Sequence, residues 1–165
     1  MSRRARILVS LIALAAINAA PPPASPIETM KISRRHPFAL CTGLCPNYDL
    51  QVRADGRIDL RRLSFDGADE FRQFRVSERK AAEFYHRIDA LRPADGRDVD
   101  EANCAETLPP DQAQSHIDVK EIEIVWVTAQ SAQHLEGCQT AARIETLGDA
   151  LRIVGLRPDG SHIGA

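Results

Sequence analysis

Cys41-Thr42-Gly43-Leu44-Cys45-Pro46-Asn47-Tyr48 sets two thiols four residues apart beside a proline and an aromatic ring. What such a pair can do depends on its compartment: in an oxidising one the thiols are expected to join as a disulfide, whereas a poised thiolate can exchange disulfides. Against exchange, three residues separate the thiols where the common oxidoreductase spacing has two, and no helix start follows to stabilise a thiolate. A zinc site would recruit His36, but the chain lacks the second close-set couple that structural zinc needs. Asp95, Asp98, Asp100 and Glu101 offer carboxylates for calcium, yet their order misses alternation around a glycine turn, so a solvated acidic loop is expected. The five histidines, His36, His86, His116, His134 and His162, show no metal spacing, and His86 beside Tyr85 is expected at the surface. Serine-nucleophile, phosphate-loop and dinucleotide motifs are absent. No catalytic residue, metal or cofactor is therefore expected.

The compartment is suggested by the first residues. Arg3, Arg4 and Arg6 precede an apolar run from Ile7 to Ile17, then small residues and Pro21-Pro22-Pro23, the three-part layout of a secretory signal. Ile17 and Ala19 suit the cleavage-determining positions, placing the cut after Ala19, with Ala20 as the alternative. The run is shorter than the roughly 20 residues that span a bilayer, so no transmembrane segment is expected after cleavage. Ser2-Arg3-Arg4 resembles the start of a twin-arginine signal, but Arg6 stands where an apolar residue belongs, which favours the ordinary route. The sequence thus predicts a signal over 1–19, a Pro-rich linker over 20–30 and a single domain over 31–165, periplasmic or secreted. Loss of the three arginines lowers the basic count from 21 to 18 against 23 acidic residues, a net charge of −5. That balance argues against nucleic acid or an anionic membrane as partner. About 145 residues suffice to bury a core of one domain.

The elements that must hold these residues follow from periodicity. Lys31 to His36 reads as a first strand stopped by Pro37. Tyr48, Leu50 and Val52 alternate with Asp49, Gln51 and Arg53; Ile58 and Leu60 return beyond Asp55-Gly56, whose turn chemistry predicts a hairpin. Asp66-Gly67 marks another turn, and Phe74 to Val76 a short strand. Ser77 caps a helix carrying Ala81, Phe84, Tyr85, Ile88 and Leu91, ended by Arg92-Pro93. Residues 94–115 read as a long loop. Ile122, Ile124 and Trp126 line one side of a strand, with Trp126 expected in the core; Gln133 to Gly137 suggests another strand. Ile144, Leu147, Leu151 and Val154 outline a last helix weakened by Gly148. The expected fold is α+β, an antiparallel sheet with two helices packed on one face.

The run from Ile32 through Cys41, Gly43, Cys45-Pro46, Tyr48 and Asp55-Gly56 resembles the opening of a family of small exported bacterial domains of unknown function. The resemblance rests on a signature of Cys, aromatic, Gly, any residue, Cys-Pro, any residue and Tyr, followed by a hairpin and a Ser-started helix. Thr42 stands where the family carries the aromatic residue, and Cys104 and Cys138 look like additions to the pattern. The resemblance implies an architecture and no activity. Four cysteines allow three pairings; Cys41 with Cys45 and Cys104 with Cys138 is preferred, Gly43 letting the short segment curl. The expected function is a non-catalytic binding or envelope-associated module with an unidentified protein or small-molecule partner. One rival is a thiol oxidoreductase using Cys41 and Cys45. Another is an inhibitor or partner-binding protein presenting Gly43, Pro46 and Tyr48 as its contact surface.

Overall fold

A computed structural model describes residues 26–35, 47–64, 68–101 and 121–163. Alternation of apolar and polar residues builds most of the strands: β1 (Ile27–Arg34), β2 (Tyr48–Arg53), β3 (Arg57–Arg62), β4 (Glu70–Arg75), β5 (Val99–Asp100), β6 (Ile122–Thr128) and β7 (Ala132–Gly137). They form one seven-stranded sheet in the order β4-β3-β2-β1-β6-β7-β5, antiparallel throughout except for the β5–β7 pair. Among the described residues two helices, α1 (Glu78–Asp89) and α2 (Ala141–Ile153), complete an α+β fold. Among the described residues no helix is long and apolar enough to cross a membrane.

Register decides the core. Met30 sits between Val52 and Trp126, and Ile32 between Leu50 and Ile124, so the inward residues of β2, β1 and β6 meet in rows. These join Phe84, Tyr85 and Ile88 of α1 and Leu147, Ala150 and Leu151 of α2 in a single buried cluster. Trp126 is fully enclosed there, as expected. The Tyr85 hydroxyl donates to the Val52 carbonyl at 2.8 Å, tying α1 to β2 at the hairpin end. Each helix starts on a cap that satisfies a free amide: Ser77 Oγ, expected in that role, accepts from Lys80 N, and Thr140 Oγ1 accepts from Arg143 N. Arg87 of α1 and Asp149 of α2 form an ion pair between the helices.

Four expectations need correction. β1 begins at Ile27, so residues 27–30, expected in the linker, belong to the strand, because Met30 has a core position waiting between its neighbours. β4 starts at Glu70 rather than Phe74, and β5 is a short strand inside the expected loop, held by parallel pairing to Leu135 and Glu136. Ile144 is 39 % exposed; buried Gly148 and Ala150 share the inner stripe with Leu147 and Leu151 instead. Gly148 lies near Pro158, where an added β-carbon would stand 3.5 Å from its ring, an ordinary contact distance.

Candidate functional site

The sites singled out by sequence are placed unevenly. Cys41, Gly43, Cys45, Pro46 and Cys104 lie outside the described residues. Cys138, just after β7, is disulfide-bonded. Tyr48 is wholly enclosed, which corrects its assignment to a contact surface. As the first residue of β2 it points to the core side. Its hydroxyl has no hydrogen-bond partner among the described residues, and burial pushes the phenol far above its ordinary pKa against the opposing pull of Arg34.

The acidic residues of the 95–101 segment work as fasteners. Asp95 Oδ2 accepts from Arg97 Nε at 2.7 Å, Asp98 Oδ1 from the His134 amide at 2.8 Å, and Glu101 takes both ends of the Arg143 guanidinium at 2.6 Å. Among the described residues no three metal-binding side chains converge. His86 is exposed on α1, His162 meets the Phe74 ring edge-on at 5.3 Å, and His134 lies 3.8 Å from Glu123.

A different surface collects chemistry. Strand alternation sends Lys31, Ser33, Asp49, Gln51, Asp59, Arg61, Phe71 and Gln73 to the side of the sheet away from Met30, Ile32, Leu50 and Leu60. There they line a groove of about 500 Å³. Register orders them in two rows across four strands: Lys31, Gln51, Asp59 and Gln73 in one, and Ser33, Asp49, Arg61 and Phe71 in the next. Neighbours in a row are about 4.8 Å apart in the pairing direction, so each row spans roughly 14 Å.

No protein-family model, curated protein or solved structure matches this chain.

Most of the groove's charges are committed. Asp59 accepts from Gln73 Nε2 at 2.9 Å and pairs with Arg53 at 2.6 Å; Asp49 pairs with Arg35 at 2.5 Å. Arg61 donates to Asp69 at 2.6 Å, holding that carboxyl below its usual range, and also lies over the Phe71 ring at 5.3 Å. What is left uncommitted is compact. Among the described residues, Lys31 has no carboxylate partner, and neither the Ser33 hydroxyl nor the Gln51 amide makes a side-chain hydrogen bond. Phe71 forms the outer wall with 71 % of its surface exposed, the most exposed large apolar residue of the chain's described part. An ammonium, a hydroxyl and an amide on adjacent strands, facing an aromatic wall, can hold a ligand by hydrogen bonds, charge and ring contact.

Sequence analysis missed this site because its residues are the polar half of ordinary alternating strands. The available signal was Phe71, an aromatic among charged residues on the polar side of the pattern.

Proposed function

We propose that this protein is an exported, disulfide-stapled, non-catalytic binding module that holds a polar, carboxylate-bearing ligand on the open sheet face. The observation that carries the proposal is the grouping of uncommitted Lys31, Ser33 and Gln51 on β1 and β2, at one side of a groove whose far wall on β4 is exposed Phe71. Lys31 supplies the one cation of the groove not already neutralised among the described residues, Gln51 and Ser33 supply directional hydrogen bonds, and Phe71 covers the apolar side of the ligand. In this reading both helices lie against the opposite face. It is supported by the shared core cluster and by the Arg87–Asp149 ion pair between them. Export rests on the three-part N-terminal segment, and kinship rests on the resemblance of Cys41–Tyr48 to the family of small exported domains.

The test uses two carboxylate carriers, an oligogalacturonate and a hexaglutamate peptide, titrated into the protein while the backbone amide resonances of β1 to β4 are followed. Whichever carrier binds should shift Lys31, Gln51 and Phe71 most. Lys31→Ala and Phe71→Ala should each weaken that binding by about tenfold, about 1.4 kcal/mol, without lowering the melting temperature. Binding that leaves these amides still, or that survives both substitutions, rejects the assignment of the face, as does indifference to both carriers.

A further inference from the structure

We propose that two copies of this chain join edge to edge through β4, antiparallel about Gln73, so that their sheets become one. β4 ends the strand order and pairs only with β3 among the described residues. The direction of its free backbone groups is fixed by one hydrogen bond, Val76 N–H to the Gly56 carbonyl at 2.9 Å. Antiparallel ladders alternate bonded and non-bonded pairs, so Phe74, Arg72 and Glu70 bond to β3 while Arg75, Gln73 and Phe71 direct N–H and C=O outward. The Gln73–Asp59 side-chain bond and the Arg61–Phe71 contact fall on the non-bonded pairs, where facing side chains approach most closely.

An open row of donors and acceptors is a template for another strand, and proteins usually blunt it with proline, a bulge or unpaired charge. β4 has six residues in unbroken register and no proline. Its charges are largely cancelled at home: Arg72 pairs with Glu70 at 2.5 Å, Arg62 with Glu70 at 3.1 Å, and Arg75 reaches Asp55 at 3.7 Å.

The occupant is identified by complementarity of the strand with itself. A two-fold axis at Gln73 sets Phe71 opposite the partner's Arg75, Arg72 opposite the partner's Phe74, and Glu70 opposite the partner's Val76. No like charges oppose each other directly, and each exposed Phe71 gains a second guanidinium beside the one Arg61 already supplies. Moving the axis to Arg75 would bring two arginines face to face, which the pairing disfavours. With the axis at Gln73 the two open-face grooves lie side by side on one surface.

The test is the mass of the mature protein in solution across a concentration series, by light scattering or sedimentation. Wild type should move from one to two protomer masses. Phe71→Arg, which faces the partner's Arg75, should weaken the dimer by about tenfold or more, whereas Phe71→Glu should keep it. Gln73→Pro should dissociate it without unfolding the chain, because the lost N–H points away from β3 and edge strands tolerate proline there. Gln73→Cys should cross-link to itself under oxidising conditions more readily than Arg72→Cys. A monomer at every accessible concentration overturns the proposal. So does a dimer indifferent to Phe71→Arg and Gln73→Pro, or one that cross-links at residue 72 in preference to 73. None of these readouts depends on the groove ligand.

Discussion

Glu101 shows how one side chain can be read as a ligand in sequence and act as a fastener in space. It closes the end of β5, receives both arms of Arg143 from α2, and also accepts from the Cys138 amide at 3.2 Å. Gly137 gives it room: a β-carbon at that position would stand 2.5 Å from Glu101 Oε2. The Arg143 hydrogen bonds hold the carboxyl below its usual range, with desolvation opposing them. A carboxylate whose pKa is depressed on folding adds stability above its unfolded value, and that stability fades as pH falls through the folded one. Glu101→Gln should therefore lower the melting temperature at neutral pH, and the gap from wild type should narrow in acid, below about pH 4. A gap that stays constant from pH 7 to pH 3 would deny the pair this role. None of this was legible in sequence, because Glu101 and Arg143, 42 residues apart, are brought together only by the tertiary fold. The burial of Tyr48 was half legible: its place in an alternating strand indicated an inward ring, but a phenol at a strand's first residue can equally face outward.

At the scale of elements, legibility followed local chemistry. The β2–β3 hairpin was readable because alternation and Asp55-Gly56 agree. The turn is built as expected, with Gly56 N–H donating to the Arg53 carbonyl at 2.9 Å and Gly56 at φ 83°. The same glycine also lies against the start of α1, since an added β-carbon would sit 2.2 Å from the Val76 carbonyl oxygen. Gly56→Ala therefore meets both backbone strain and a collision, and should cost about 2 kcal/mol or more, measured by urea unfolding. A loss under half that amount would mean the turn relaxes freely. α1 was readable from its cap and its stripe of Ala81, Phe84, Tyr85 and Ile88. β4 was largely hidden, because Glu70-Phe71-Arg72-Gln73-Phe74-Arg75 spaces its aromatics three apart and carries charge on both sides, as an edge strand can. β5, two residues long, carries no periodic signal, and only its pairing with β7 defines it.

For the whole molecule, β1 and the segments flanking α2 are joined by polar ties as well as by the core. Arg34, buried at the end of β1, donates to Gln139 Oε1 at 2.8 Å and to the Pro158 carbonyl at 2.7 Å, while Gln139 donates to the Arg35 carbonyl at 2.8 Å. The disulfide at Cys138 belongs to the same region of the fold. If its partner is Cys104, the pairing preferred from sequence, the bridge closes a loop long enough to add roughly 3 to 4 kcal/mol. Cys138→Ser and Cys104→Ser should then each lower the melting temperature by about 10 °C, and the double variant by no more than either alone. A Cys104→Ser variant as stable as wild type would assign Cys138 to another cysteine. Sequence indicated the α+β class because strand and helix periods were both clear. It did not indicate strand order, which rests on pairings between residues far apart in the chain.

β1 lies in the middle of the sheet, yet among the described strands it is the first in chain order to leave the ribosome. Its β2 partner follows within a few dozen residues, but its other neighbour, β6, is translated only after α1 and β5. A nascent chain can thus fold the β1–β4 meander early while one flank of Met30 and Ile32 stays bare. That sticky interval is prolonged by the high contact order of the closing pair. Any factor that shields newly made copies from one another should act on this unfinished half.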